Sequence, residues 1–212
     1  MAKAGRFITL EGGEGVGKST LAATLKKRLE DRGLEVVLTR EPGGTPRAEQ
    51  LRDVILHQPQ DAPWTALSET LLFYAARTEH LEGRIRPALA RGAWVICDRF
   101  SDSTRAYQSA AGGVSAKDID AIDAICVGET RPELTLVLDL SQKTARSRMA
   151  EEWREVDAIE ARGWEYHEAV RQAFLDIAKA DPQRCVVLDA SRTAAEVATA
   201  AMIAIDQRFG TE

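Results

Sequence analysis

Short apolar runs alternate with longer segments of helical periodicity along most of the chain. Five runs predict β-strands at residues 7–10, 35–39, 94–97, 134–140 and 185–188. Between them, apolar residues recur at the spacing of amphipathic helices: Leu21, Leu25 and Leu29 lie four apart, and Gly33 follows as a stop signal. The predicted helices cover residues 19–32, 47–56, 67–91, 116–126, 142–149, 164–180 and 193–209.

Strands that alternate with helices predict an α/β fold, in which a five-stranded parallel sheet is covered by helices on both faces. The 212 residues contain no proline-rich or low-complexity stretch that would divide them, so we expect a single domain over residues 1–212. Sheets of this kind bind ligands at the carboxyl ends of their strands. Polar residues that directly follow the strands are therefore the first candidates for function.

A glycine-rich loop lies between the first predicted strand and the first predicted helix. Residues 12–19 read GGEGVGKS, which matches the phosphate-binding pattern of a glycine, four residues and Gly-Lys-Ser. Glycines let backbone N–H groups surround an anion, because they lack a Cβ and tolerate positive φ angles. Lys18 can then reach the β- and γ-phosphates, and the Ser19 hydroxyl can bind Mg²⁺. The residues predicted to bind the nucleotide here are Gly12, Gly13, Gly15, Val16, Gly17, Lys18, Ser19 and Thr20.

Charged residues also follow the third predicted strand. Asp98 is an acidic group at the end of a buried run, suited to hold Mg²⁺ or to orient a phosphoryl acceptor. Arg99 offers a planar fork that can bind a phosphate with two hydrogen bonds. The sequence therefore predicts a metal site at Ser19 and Asp98, with an anion site beside it.

Composition and charge limit the classes of ligand and the location that the sequence predicts. The 28 basic and 33 acidic residues give a net charge of −5, which argues against a nucleic acid polymer and favours a small nucleotide. The cysteines Cys97, Cys126 and Cys185 show no metal-ligand spacing, so we expect reduced, structural thiols. The sequence has neither a signal-type N-terminal segment nor an apolar run of 18 residues, and it predicts a cytoplasmic protein without a membrane partner.

A phosphate-binding loop leaves three classes open: a kinase of a small acceptor, a GTPase switch and an ATPase motor. A switch normally carries a guanine-reading Asn-Lys-x-Asp motif, which this sequence lacks, and a motor domain usually needs a longer chain. The kinase class is favoured.

Four separated motifs resemble those of the bacterial thymidylate kinase family, in order and at the family's spacing. They are EGGEGVGKS at 11–19, TREPGGT at 39–45, LFYAAR at 72–77, and DRF with STRAYQ within 98–108. The resemblance runs from about residue 6 to residue 190. It implies a three-layer α/β/α P-loop kinase fold with a short lid at about residues 149–163, and ATP and Mg²⁺ as cofactors. The implied activity is phosphorylation of dTMP to dTDP, in a homodimer to which residues 67–91 and 119–127 could contribute a face.

The resemblance also implies roles for the acceptor residues. Phe73 would stack on thymine and Arg77 would donate to a pyrimidine carbonyl; their spacing of four places both on one helix face, which supports the pairing. Arg99 and Arg52 would hold the acceptor phosphate, and Glu14 would face the sugar 3′-hydroxyl or the metal. Further implied contacts are Thr104 and Gln108 with the thymine edge, Tyr107 with the deoxyribose, and Arg148 with the donor adenine.

The predicted lid departs from the family pattern. Relatives read Asp-Arg-apolar-Glu where this chain has Asp157, Ala158, Ile159 and Glu160. One subgroup carries an arginine in the P-loop at the position of Gly15, so here a cation should come from the lid. Arg154 or Arg162 could supply it in a natural variant; alternatively the active site is weakened, which the intact surroundings of Ala158 favour slightly.

The predicted catalytic residues are Lys18, Glu14, Asp98, Arg99, Arg154 and Arg162. Two alternatives remain beside thymidylate kinase: a kinase of another nucleoside monophosphate, and a nucleotide-binding module with weakened catalysis.

Overall fold

The structure, a computed structural model, describes residues 5–59, 61–150 and 157–210. Five parallel strands form one sheet in the order β2-β3-β1-β4-β5. This confirms the α/β fold with a five-stranded parallel sheet. The strands are β1 (Phe7–Glu11), β2 (Val36–Arg40), β3 (Trp94–Asp98), β4 (Leu134–Asp139) and β5 (Cys185–Asp189).

Helices cover both faces of the sheet, and each predicted helix is present. They are α1 (Lys18–Glu30), α2 (Pro46–Leu56), α3 (Ala66–His80), α4 (Arg86–Ala90), α5 (Ser101–Thr104), α6 (Ala116–Cys126), α7 (Gln142–Ala150), α8 (Trp164–Ala180) and α9 (Ala194–Phe209). The prediction of one regular helix over 67–91 was wrong in detail, because a π-helical turn at Leu81–Ile85 separates α3 from α4. A second π-helical turn, Arg105–Ala110, continues α5. Hydrophobic spacing alone does not reveal a π turn, which adds one residue to the helical repeat.

The core follows the periodicity of the sequence. Leu21, Leu25 and Leu29 are buried on α1 against the central strands, together with the inner face of α9. A second cluster lies under α3 and α6, and a third lies under α8. Cys97 and Cys185 are buried free thiols and Cys126 is a half-buried one, as expected for structural cysteines. Within the described ranges, every helix is too short or too polar to cross a membrane.

Because all five strands run in one direction, their carboxyl ends meet at one edge of the sheet. β1 leads there into the glycine-rich loop, β2 into Glu41, and β3 into Arg99. Segments that are distant in sequence are thereby brought to a single site.

Candidate active site

One cavity of about 830 Å³ opens at the carboxyl edge of the sheet. Its walls are the glycine-rich loop, α3, the residues that follow β3, the segment 157–160 and the start of α9. The predicted site residues that line it are Glu14, Gly15, Val16, Gly17, Lys18, Ser19, Thr20, Arg52, Phe73, Arg77, Asp98, Arg99, Thr104, Tyr107, Gln108 and Arg148. Gly12 and Gly13 lie behind the loop, against β4. Arg154 lies outside the described residues.

The glycine-rich loop has the backbone that its sequence predicts. Gly12, Gly15 and Gly17 have φ angles of 132°, 66° and 91°. A Cβ at Gly12 would lie 2.5 Å from the carbonyl oxygen of Leu138, so only glycine fits there. The ammonium of Lys18 donates to the carbonyl oxygens of Gly12 at 3.3 Å and Gly13 at 2.6 Å, which holds it across the loop. Burial lowers the pKa of Lys18.

Ser19 and Asp98 lie side by side at the start of α1. The Ser19 hydroxyl donates to Oδ2 of Asp98 at 3.2 Å. The other carboxylate oxygen, Oδ1, is buried and has no hydrogen-bond partner within the part of the chain that the structure describes. An orphaned carboxylate oxygen beside a hydroxyl is a donor set that fits a hard divalent cation such as Mg²⁺.

Arg99 connects the glycine-rich loop to the acceptor side of the cavity. It is a non-glycine residue with a left-handed backbone, φ 70°, a conformation that often marks functional positions. Its guanidinium donates to the carbonyl oxygen of Gly12 at 2.9 Å, to Ser103 Oγ at 3.2 Å and to Glu14 Oε1 at 2.6 Å. Tyr107 stacks against the guanidinium at 4.9 Å and donates its hydroxyl to the same oxygen of Glu14 at 3.0 Å.

Sequence reasoning missed the role of Glu11. Its fully buried carboxyl group accepts hydrogen bonds from the Phe100 backbone N–H at 2.8 Å and from Ser103 Oγ at 2.6 Å. Burial raises the pKa of Glu11 to about 8, and the nearby Asp102 adds to the shift. Glu11 therefore supports the turn that carries Arg99. The available signal was an acidic residue at the end of an otherwise apolar strand.

Arg77 and Phe73 both line the cavity, on one face of α3 as their spacing predicts. Arg77 is only 2% exposed. Its Nε donates to Glu41 Oε2 at 2.7 Å and its Nη1 to Thr104 Oγ1 at 3.1 Å. The half-buried Phe73 ring beside it offers a flat apolar surface.

Gln108 is linked to the end of the predicted lid through a residue that sequence reasoning missed. Its amide donates to Glu69 Oε1 at 3.0 Å, and the other carboxylate oxygen of Glu69 pairs with Arg162. Arg162 also donates to the Tyr166 hydroxyl at 2.7 Å. Arg162 is not among the residues that line the cavity, and its catalytic role stays a prediction. In the structure Arg162 anchors the end of the predicted lid to α3 through Glu69.

The backbone N–H groups of residues 158–160, in the predicted lid, are hydrogen-bonded. Asp157 Oδ1 accepts from the N–H groups of Ile159 and Glu160, both at 2.9 Å, and the N–H of Ala158 donates to the Leu56 carbonyl at 3.2 Å. Asp157, Ile159 and Glu160 line the cavity, whereas Ala158 does not.

Arg52 and Arg148 line two other parts of the cavity. Arg52 donates to the Pro42 carbonyl at 2.9 Å, and burial together with the neighbouring Arg40 lowers its pKa. Arg148 is half-buried and lines the cavity with Arg192, from the loop after β5. Arg192 was missed, although its place after a strand was a usable signal.

Comparison with known proteins agrees with this geometry. A sequence model of the family described as thymidylate kinase matches residues 10–201. The thymidylate kinase of Caulobacter vibrioides is 46% identical over 206 residues, covering 97% of this chain and 98% of that protein. The thymidylate kinase of Pseudomonas putida (strain W619) is 52% identical over 186 residues, covering 88% and 89%.

A solved structure is similar over nearly the whole length. The crystal structure of thymidylate kinase from Ehrlichia chaffeensis matches with a TM-score of 0.76 and 32% identity, covering 95% of this chain and 99% of that one. Sequence and fold agree, and this chain belongs to the thymidylate kinase family.

Proposed function

We propose that this chain transfers the γ-phosphoryl group of ATP to the phosphate of dTMP, giving dTDP and ADP. One observation carries the proposal: the same cavity is lined by the phosphate-binding loop, by the buried Arg77 and by the Phe73 ring. Family membership supports the same activity.

The donor phosphates would bind at the glycine-rich loop. Backbone N–H groups at the start of α1 favour negative charge, and Lys18 adds a cation that is already held over the loop. Ser19 and Asp98 would hold Mg²⁺, which supplies charge neutralisation at the transferring phosphoryl group. Arg148 and Arg192 line the same cavity, and they would flank the adenine.

The acceptor phosphate would bind between Arg99 and Arg52. The acceptor oxygen is already ionised at neutral pH, so the reaction needs positioning and charge stabilisation rather than a strong base. Glu14 forms an ion pair with Arg99 and accepts a hydrogen bond from Tyr107. These contacts would orient the three side chains toward the deoxyribose and the acceptor phosphate. Burial lowers the pKa of Arg99, but Glu14, Tyr107 and the other nearby acidic groups together outweigh burial and raise it, so Arg99 keeps its charge.

The thymine would lie between Phe73 and the end of α5. Arg77 donates to Thr104 and stands beside the ring, so both can face the base edge together with Gln108. A site that hydrogen-bonds a carbonyl rejects a base that lacks it, because the donors would be left unpaired.

The cation of the transfer step is assigned to the predicted lid, with Arg154 as the candidate in this chain. Arg162 is committed to Glu69, and neither Gly15 nor Ala158 supplies a charge. Ala158 is the one observation that favours the second candidate function, a nucleotide-binding module of reduced turnover.

We also assign a homodimer face to α3 and its neighbours. Leu67 and Leu71 lie four apart on α3 and are 51% and 49% exposed, and Val54 of α2 is 45% exposed. Ile125 of α6, which packs against α3, is 85% exposed. Exposed apolar residues on neighbouring helices suit an isologous contact, which light scattering would test.

The activity is tested by ADP release with ATP, Mg²⁺ and a panel of nucleoside monophosphates. We expect turnover with dTMP well above that with dCMP or GMP. The Lys18→Met variant should lose roughly 10²–10³-fold in kcat, the typical loss for one electrostatic contact to the transition state. Preferred turnover of another monophosphate would support a different kinase, and nucleotide binding without turnover would support the weakened module.

A further inference from the structure

We propose that His80 is a positioning residue which, through Glu41, fixes Arg77 and thereby sets the base selectivity of the acceptor site. The proposal rests on the proposed function, since it assigns Arg77 to the base.

His80 is the last residue of α3 and lies completely buried beneath the end of β2. Its Nδ1 lies 3.0 Å from Glu41 Oε1, and its Nε2 lies 2.6 Å from Thr39 Oγ1. The loop that follows packs directly on the ring: a Cβ at Gly44 would lie 2.5 Å from Cδ2 and Nε2. The imidazole is therefore fixed by contacts on several sides.

The hydrogen-bond partners determine which ring nitrogen carries the proton. The carboxylate of Glu41 can only accept, so Nδ1 of His80 donates to it. The other nitrogen, Nε2, is hydrogen-bonded to the Thr39 hydroxyl. His80 thus supplies a hydrogen-bond donor to Glu41. A leucine at this position could not donate, whereas an asparagine could.

Glu41 transmits this constraint to Arg77. Its second oxygen, Oε2, accepts from Arg77 Nε at 2.7 Å, so both oxygens of this buried carboxylate are engaged. The guanidinium also lies over the rings of Tyr74 at 4.8 Å and Phe100 at 5.2 Å. Without His80, Oε1 would lose its donor and the carboxylate could rotate, displacing the guanidinium from the base edge.

A metal would be a competing explanation for this cluster, since Glu41, His80 and Cys97 offer ligand atoms within 4.8 Å of one another. However, the Cys97 thiol donates to the Arg99 carbonyl at 3.0 Å, and both imidazole nitrogens are hydrogen-bonded. Burial also raises the pKa of Cys97, which disfavours the thiolate that a metal requires. The cluster is complete as a hydrogen-bond relay.

The test compares His80→Leu with His80→Asn. The two replacements have nearly the same shape and leave the same void, but only the asparagine amide can donate to Glu41. For His80→Leu we expect a rise of roughly tenfold in KM for dTMP, the scale of one weakened hydrogen bond, with kcat and KM for ATP unchanged. His80→Asn should restore most of the loss.

Base selectivity gives a readout that packing alone would not move. Cytosine replaces one pyrimidine carbonyl by an amino group, whereas uracil keeps both carbonyls and lacks only the methyl group. In His80→Leu the preference for dTMP over dCMP should therefore fall, while the preference for dTMP over dUMP stays constant.

Equal kinetic constants and equal selectivity in the leucine and asparagine variants would overturn the proposal. If His80→Leu does not fold, His80→Gln replaces it, because its amide reaches the Thr39 side and leaves Oε1 of Glu41 without a donor. Failure of the proposed function would be distinct, since the unmodified protein would then show no preference for dTMP.

Discussion

The base end of the cavity and the segment 157–160 are stabilised in different ways. At the base end, buried side chains bond to one another: Arg77 to Glu41, and Glu41 to His80. In the segment 157–160, backbone N–H groups donate to Asp157 and to the Leu56 carbonyl, and Ile159 packs into the cluster under α8. The difference indicates that acceptor recognition is built into the core, so changes there should alter both stability and selectivity. A change at the half-buried Ala158 should alter turnover with little effect on stability.

The largest effect should come from Arg77→Met. Removal of one partner of a buried ion pair leaves Glu41 uncompensated, and such changes cost about 3–5 kcal/mol. We expect that loss in the free energy of unfolding from urea titrations, together with loss of dTMP binding. The double variant Glu41→Gln/Arg77→Met should recover part of the stability but none of the binding. A stable Arg77→Met variant would contradict the contrast between the two regions.

The Glu11→Gln variant tests how the buried carboxyl group below Arg99 makes the free energy of unfolding depend on pH. The folded protein raises the pKa of Glu11 from 4.5 to about 8, so in that interval the folded state holds a proton that the unfolded state releases. The contribution of Glu11 to stability is therefore complete below pH 4.5 and is lost as pH rises toward 8, by at most about 1.4 kcal/mol per pH unit.

The variant has no such proton to lose. The difference in unfolding free energy, Glu11→Gln minus the unmodified protein, should rise between pH 5 and pH 8 and level off above. Urea titrations across that range measure it. A difference that does not change with pH would show that Glu11 titrates normally in the folded protein.

The smallest stability effect, and the sharpest test of the segment, is Ala158→Arg. A guanidinium at this position should raise kcat by roughly tenfold, equivalent to about 1.4 kcal/mol of transition-state stabilisation, with little change in either KM. Ala158→Gln is the matched control, since it adds length without charge. Unchanged or reduced turnover in Ala158→Arg would mean that the existing residues already supply the cation.

The sequence predicted those parts of the molecule that depend on local order. Periodicity predicted the strands and helices. Because the glycine-rich loop, Asp98 and Arg99 directly follow predicted strands, the sequence also placed them at one edge of the sheet. Phe73 and Arg77 share a cavity wall because helical spacing is a local property.

The missed residues are those whose role depends on distant partners. Glu41 and His80 are separated by 39 positions, and Glu69 and Arg162 by 93. No periodicity links such pairs, because tertiary packing alone brings them together. Glu11 was missed for the same reason, since its partners follow β3.

The carbonyl oxygen of Gly12 accepts from Lys18 on the donor side and from Arg99 on the acceptor side. One peptide group is thus a common reference point for both phosphate-binding cations. The distance between the donor and acceptor phosphates is then set by this peptide group and the side chains of Lys18 and Arg99. It does not depend on how two subdomains pack against each other. Exchange of remote helices between relatives should therefore preserve the alignment of the reacting groups, which makes this edge of the sheet a transferable unit for protein engineering.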